Sequence, residues 1–406
     1  MDTREVQSIS VQNTIDWKTQ EGFPGLGRKL RILAAPANEG GCAQYRVIQP
    51  YKKLAELYPN VVEVRFDLNP LGADTKTARW IPDFQFENLK WCDIVVLNNL
   101  SNFGANYTAR IVGKAKEFGK FVHYDTDDLL TNLYEGHRLY NVYKEQKLGE
   151  ITKFIYSHSD LTTVTQNKFA ERIMPFISKH LTVVRNCVDY KLPAWNQPKL
   201  ETKFCRFGWA GGIHHEQDVR YFSGVPHLVN QRVGVKNCRW DLYGAPPPNV
   251  DKSDWQHEVW KNYHNIIFAG MKGQRNYTVN CARGIEDYGV FFSMMDVALA
   301  PLEPNEFNDS KSEIKVAEAG RYKIPLVASN VGCYDEWIIN GETGFLIDPA
   351  KGRSEWVKIL TRIAKDKKLR ETMGENLHQI TEVNFDLNKR VHDRLDVYKE
   401  LLTLEN

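Results

Sequence analysis

Neither sign of charge dominates this chain. Lysine plus arginine number 53 against 51 for aspartate plus glutamate, so no global field draws it to nucleic acid or to an anionic membrane. No apolar run reaches about 18 residues, the length needed to span a bilayer, and the opening Met1-Asp-Thr-Arg-Glu has no apolar leader segment. These absences lead us to expect a soluble, cytoplasmic protein without integral membrane contact. The seven cysteines (Cys42, Cys92, Cys187, Cys205, Cys238, Cys281, Cys333) include no C-x-x-C pair and no zinc-like spacing. They read as reduced core thiols, and no metal site is expected from them.

What is present is length and alternation. A chain of 406 residues is too long for one ordinary core and suits two α/β domains of about 180 residues facing a cleft. Residues 1–27 are polar and end in Gly22, Pro24, Gly25 and Gly27, which reads as an extension with little core of its own. From residue 28, short apolar runs alternate with helical patterns, predicting strands at 31–35, 61–66, 93–97, 121–124, 161–164 and 181–184. A polar, proline-containing stretch at 192–200 separates this first domain, 28–195, from a second, 200–382. The second domain restarts at residue 204 and shows strand signatures at 239–243, 266–269, 297–300, 325–328 and 344–347. Both halves therefore predict doubly wound parallel sheets, and 383–406 closes the chain as a helix.

The most informative segment is 308–325, N-D-S-K-S-E-I-K-V-A-E-A-G-R-Y-K-I-P. A buried strand, Asp296-Val-Ala-Leu-Ala-Pro301, precedes it, so its polar start lies at a strand's carboxyl end, where open parallel sheets bind ligands. Asn308, Asp309 and Ser310 are good helix caps, and 312–320 alternates at helical spacing up to Gly320. A helix amino terminus offers free N–H groups to a phosphate, and Lys311 and Lys315 reinforce that polarity.

Glu318-Ala319-Gly320 followed by Pro325-Leu326-Val327-Ala328-Ser329 resembles the carboxy-terminal domain of retaining GT-B glycosyltransferases, in particular family four (glycosyl transferases group 1). That family carries Glu-x7-Glu before this run. The resemblance implies two Rossmann-like domains, an acceptor domain followed by a nucleotide-sugar domain, and a last helix that crosses back to the first domain. It assigns the ribose hydroxyls to Glu318. The family's first glutamate falls on Ser310, so either its contact to the donor sugar is lost or Glu313 or Asp309 supplies a carboxylate from nearby.

Other segments fit the same cleft. Gly40 and Gly41, after the first strand, let the backbone approach a ligand closely, and Tyr45 and Arg46, on the first turns of the next helix, are expected to face the same cleft as acceptor-binding residues. Gly211 and Gly212 repeat the arrangement in the second domain, with His214 and His215 where an anionic diphosphate would lie. Many family members use an Arg and a Lys there, which leaves Lys311 or Arg321 as substitutes. Asp125-Thr-Asp-Asp128 has three readings: a metal site of the kind GT-A enzymes use, an acceptor contact through Asp125 and Asp128 with Asp127 close to the chemistry, or a cap on a helix starting at Leu129. The GT-B pattern argues against the metal. Asn186 and Asp189 are expected to shape the hinge.

The function expected is retaining transfer of a sugar from a nucleoside diphosphate, a UDP-sugar first among donors, to a hydroxyl of a saccharide or glycan precursor. No cofactor beyond that co-substrate is expected. Lys311, the 310–312 helix start with Ser310 and Ser312, and Lys315 or His214 would stabilise the departing diphosphate, and a phosphate oxygen would take the acceptor's proton. The alternatives are a glycosyltransferase acting on a hydroxymethylated pyrimidine in DNA, motivated by basic runs at 365–370 and 389–390, a non-catalytic nucleotide-sugar-binding protein, and an epimerase on the same fold.

Overall fold

Each half of the chain folds into an all-parallel sheet. The computed structural model describes residues 7–8, 15–68, 73–74, 79–80, 86–99, 103–251 and 253–404; residues 1–5, on which the leader expectation rested, lie outside them. The strands of the first half are β1 (Gln7–Ser8), β2 (Leu30–Ala35), β3 (Val62–Phe66), β4 (Ala73–Asp74), β5 (Arg79–Trp80), β6 (Ile94–Asn98), β7 (Phe121–Asp125), β8 (Leu161–Val164) and β9 (His180–Val183). Seven of them form one sheet in the order β1-β9-β8-β7-β6-β2-β3, while β4 and β5 pair antiparallel by themselves. In the second half, β10 (Cys205–Ala210), β11 (Cys238–Ala245), β12 (Tyr277–Cys281), β13 (Val297–Ala300), β14 (Leu326–Ser329) and β15 (Gly344–Ile347) are ordered β12-β11-β10-β13-β14-β15.

Burial on both faces explains the unbroken apolar runs. Leu33, Val95, Leu97 and Tyr124 join the core on one side of the first sheet; their chain neighbours Ile32, Ala34, Ile94 and Val96 join the core on the other. In the second sheet Phe207, Trp209, Val297 and Leu299 face one core and Ala210, Ala298, Ala300 and Leu326 the opposite one. That two-residue alternation is the pleat itself.

Three expectations are corrected. Residues 266–269 are not a strand: they close the helix Trp255–Ile267, whose buried Val259, Trp260, Tyr263 and Ile267 give a helical stripe that a short apolar run imitates. The edge strand is β12 instead, with no fully buried residue. No helix begins at Leu129; the next helix is Tyr140–Glu145, so Asp127 and Asp128 cap nothing. The amino-terminal stretch is part of the core: Trp17 and Phe23 are buried and pack among Leu30, Ile32 and Leu54, and Trp17 Nε1 donates to Asp396 Oδ1 at 2.7 Å.

That aspartate belongs to the closing helix Asp393–Leu404, which leaves the second half and packs Leu395, Tyr398 and Leu401 into the core of the first sheet. Tyr398 Oη also meets Nδ1 of the buried His123 at 2.8 Å. Among the described residues, no helix is long and apolar enough to cross a membrane.

Candidate active site

A cleft of about 650 Å³ opens between the carboxyl ends of the two sheets, where parallel α/β folds bind ligands. From the first half it is lined by Gly40, Gly41, Tyr45, Asp127 and Asp128, and from the second by Gly211, Gly212, His214, Lys311, Ser312, Lys315 and Glu318. Residues separated by nearly 280 positions thus converge on one space, as the spacing of the motifs implied.

Its floor is a four-residue network across the two halves. Glu318 lies on the helix Ile314–Arg321 and is 1% exposed. Tyr45 Oη donates to Glu318 Oε1 at 3.0 Å, and Lys315 Nζ donates to Glu318 Oε2 and to Tyr288 Oη, both at 2.6 Å. Burial works against the Lys315 ammonium, but Glu318 outweighs it and raises the lysine's pKa; burial and then Glu318 push the Tyr45 phenol well up. Tyr45 reaches across because it sits in a π turn, Gln44–Ile48, inserted between the helical residues Gly41–Ala43 and Gln49–Leu57.

The wall holds the charges suited to an anion. Lys311 Nζ lies 3.6 Å from Asp128 Oδ1 and 4.5 Å from the centre of the Phe307 ring. Burial lowers its pKa, yet Asp128 and Asp218 outweigh that and leave it above the ordinary lysine value. His214 stacks on His137 from the first half at 5.3 Å. Burial, followed by His214, brings His137 down to about 4, and burial with His215 also lowers His214, so the pair disfavours a second positive charge beside Lys311, and a neutral imidazole can still donate one hydrogen bond. His215 Nδ1 is 2.7 Å from Asp218 Oδ2. Gly244 is required beside this wall: its φ is +126°, and a Cβ there would lie 2.1 Å from the Gly211 carbonyl oxygen.

Asp127 is different in kind. It is 8% exposed, and its Oδ1 has no hydrogen-bond partner. Burial and then Asp128 raise its carboxyl to about 7. An unpartnered buried carboxylate oxygen costs about 1–3 kcal/mol, a cost a bound molecule can remove.

Three predicted site residues are not in the cleft. Asp125 and Arg46 are fully buried and paired with each other through Arg46 Nε, while Arg46 Nη1 donates to Val184 O at 2.6 Å and Asn186 Oδ1 at 3.0 Å. They brace the sheet end and cannot touch an acceptor. Ser310 is also fully buried: its Oγ donates to Glu306 O at 2.8 Å and accepts from Arg172 Nη1 at 3.2 Å. Neither proposed substitute carboxylate replaces it, because Glu313 is buried against Arg185 at 2.9 Å and Asp309 is held by Arg172 and by Gly332 N. Nor do 308–310 cap the helix at 314; Asn305 caps a separate short helix, Glu306–Asp309, that ends at Ser310. Arg321 likewise turns away to Trp195 O, Asn196 and Glu382.

Sequence reasoning missed Tyr288, Arg283, Tyr243 and Cys42, all in the cleft lining. Tyr288 lies in the short helix Ile285–Tyr288, too short to show periodicity. Asn186, expected at the hinge, donates from Nδ2 to Ser312 Oγ at 3.0 Å and so ties the first half to the segment that leads into the helix Ile314–Arg321.

Two doubly wound parallel-sheet domains that share a cleft, with a closing helix that crosses from the second to the first, define the GT-B fold. Sucrose-phosphate synthase from Thermosynechococcus elongatus superposes with a TM-score of 0.64 at 14% identity, covering 93% of this chain and 100% of that one. HepE from Anabaena, solved with UDP and glucose, superposes at 0.54 with 14% identity over 93% and 100%. Within that fold, residues 205–366 match the family model of the glycosyl transferases group 1, so the likeness implied by the Glu318 motif holds. The capsular polysaccharide biosynthesis glycosyltransferase CapM of Staphylococcus aureus is 27% identical over 111 residues, which is 27% of this chain and only 28% of the length of that relative.

Proposed function

We propose that this protein is a retaining glycosyltransferase that moves a sugar from a nucleoside diphosphate, uridine first among the bases, to a hydroxyl of a saccharide acceptor. The observation that carries it is Glu318, a buried carboxylate on the floor of the cleft whose wall holds Lys311 and Ser312. A carboxylate has about four lone-pair sites, so Glu318 can accept from two ribose hydroxyls while Tyr45 and Lys315 hold its plane. The match at 205–366 and the UDP and glucose bound by HepE support that donor class.

The roles then divide by half. Lys311 and the first N–H groups of the helix at Ile314 neutralise the diphosphate as it departs, with His214 as a neutral donor. Asp127 and Asp128 face the acceptor, and the protonated share of Asp127 can donate to an acceptor oxygen at neutral pH. The departing phosphate takes the acceptor's proton, so retention needs no strong base. Seven cysteines that all stand as thiols suit a reducing, cytoplasmic setting. The DNA acceptor is not carried forward: Arg370 is spent on the carbonyls of Ile363 and Ala364, and Lys389 and Arg390 on Glu382 and Asp393.

One observation favours a second reading. With Ser310 turned inward, the cleft lacks one of the family's two carboxylates, as in a protein that binds nucleotide sugars without transferring them. Incubation with UDP-glucose, UDP-N-acetylglucosamine and their GDP and TDP counterparts, with and without oligosaccharide acceptors, tests both. Release of nucleoside diphosphate from one donor, faster with acceptor and lost in Glu318→Ala, supports the transferase; tight donor binding with no turnover supports the binder.

A further inference from the structure

We propose that Cys42, Asp127 and Asp128 form a binding site for one thiophilic divalent cation, of the zinc class, at the first-half wall of the cleft. The Cys42 sulfur and one oxygen from each aspartate all lie within 4.8 Å of one another. A tetrahedral zinc with bonds of about 2.0 Å to oxygen and 2.3 Å to sulfur keeps its ligand atoms roughly 3.5 Å apart, so side-chain adjustments of about an ångström close the site. The second observation is Asp127 itself, more than nine-tenths buried, in the cleft wall, with its Oδ1 unpartnered. A buried acceptor of this kind awaits a donor or a cation.

Asp128 shows how the site coexists with the donor wall. Its Oδ1 faces Lys311 at 3.6 Å, while its Oδ2 faces the Cys42 sulfur at 4.0 Å. One oxygen can therefore stay with the lysine as the other ligates. The thiol selects the metal: a thiolate with two carboxylates favours zinc or cobalt over magnesium or calcium, which take oxygen donors. Cys42 is exposed to the cleft, unlike the five fully buried cysteines, so an ion has a way in. Three protein ligands leave the fourth position open toward the cleft, where an acceptor oxygen or water would bind. This departs from the metal-free expectation, and it stands independently of the donor assignment.

Cobalt(II) is the probe, because a cobalt–thiolate bond gives a charge-transfer absorption that carboxylates do not. The full chain, stripped with chelator, is titrated with cobalt and then with competing zinc. The result expected is one equivalent bound with a thiolate band, displaced by zinc, absent in Cys42→Ser and retained in Cys281→Ser, the other partly accessible thiol. Asp127→Asn should weaken binding by about a hundredfold. Failure to bind one equivalent, or a band that persists in Cys42→Ser, overturns the site. Melting curves with UDP, recorded on the same metal-free samples, show that each variant is folded and report the donor site separately.

Discussion

On the function proposed, Glu318 should carry two separable loads, one on the fold and one on the donor. In Glu318→Ala the ammonium of Lys315, whose side chain is 22% exposed, loses its counter-charge and keeps the Tyr288 hydroxyl at 2.6 Å and the rings of Tyr288 and Phe292 at 5.2 and 5.8 Å. Removing one member of a buried ion pair costs about 3–5 kcal/mol, and the residual exposure and the tyrosine place this case near 3. For a lobe of this size each kcal/mol moves the melting temperature by roughly 2–4 °C, so a fall of about 6–12 °C is expected. A nucleotide at 100 times its Kd stabilises the native state by about 2.7 kcal/mol, a rise of roughly 5–11 °C, and that rise should vanish in the variant. The double variant Lys315→Met/Glu318→Gln separates the loads: with no stranded charge it should regain part of the stability but none of the nucleotide response. Differential scanning fluorimetry with UDP and GDP reads both quantities. A Glu318→Ala protein that melts with the wild type and still responds to nucleotide would refute the reasoning.

Three further outcomes follow from the same physics. His123 is buried, bonded through Nδ1 to Tyr398 and through Nε2 to Thr163 at 2.7 Å, and burial lowers it to about 3; the unfolded chain, titrating near 6.5, takes up that proton first, so the native state loses stability as pH falls from about 6.5 toward 3. Urea denaturation at pH 7, 5.5 and 4.5 should show a shallower loss in His123→Gln. Arg46→Ala leaves buried Asp125 with only the more distant Arg394, 3.9 Å away, and should cost about 3 kcal/mol, and Arg46→Lys should rescue it poorly because one ammonium cannot reproduce the fork to Asp125, Val184 and Asn186; denaturant midpoints measure both. Trp17→Ala empties a buried indole site and frees Asp396, a loss of about 3–5 kcal/mol, whereas an extension outside the fold would show none.

The parts of this molecule that were legible in its sequence are those built from local pattern. Strand runs such as Ile94–Asn98 and Val297–Ala300 are apolar because both their faces are buried, and the glycine pairs at 40–41 and 211–212 follow strands in both halves. What stayed hidden depends on partners far away in the chain. Trp17 looks like one aromatic in a polar arm until Asp396 meets it, and Arg46 looks like a ligand-facing cation until Asp125 and Asn186 close round it. In both cases a side chain that could serve a ligand is claimed by another part of the protein, and only the three-dimensional arrangement shows the claim.

Ser310 shows why position within a motif is weaker than direction in space. Counting eight residues back from Glu318 lands on it correctly, but the chain there is the end of the short helix Glu306–Asp309, and the serine hydroxyl turns back onto Glu306 O. Arg172 from the first half then grips both Ser310 Oγ and Asp309. A glutamate at 310 would meet that guanidinium from a fully buried position. The first half has therefore placed an interdomain clamp where the family pattern has a sugar contact. Arg172→Ala separates these roles: it should loosen the two halves and lower the melting temperature while leaving the nucleotide-induced rise intact, and a loss of that rise would show that the clamp at Ser310 is part of the donor site after all.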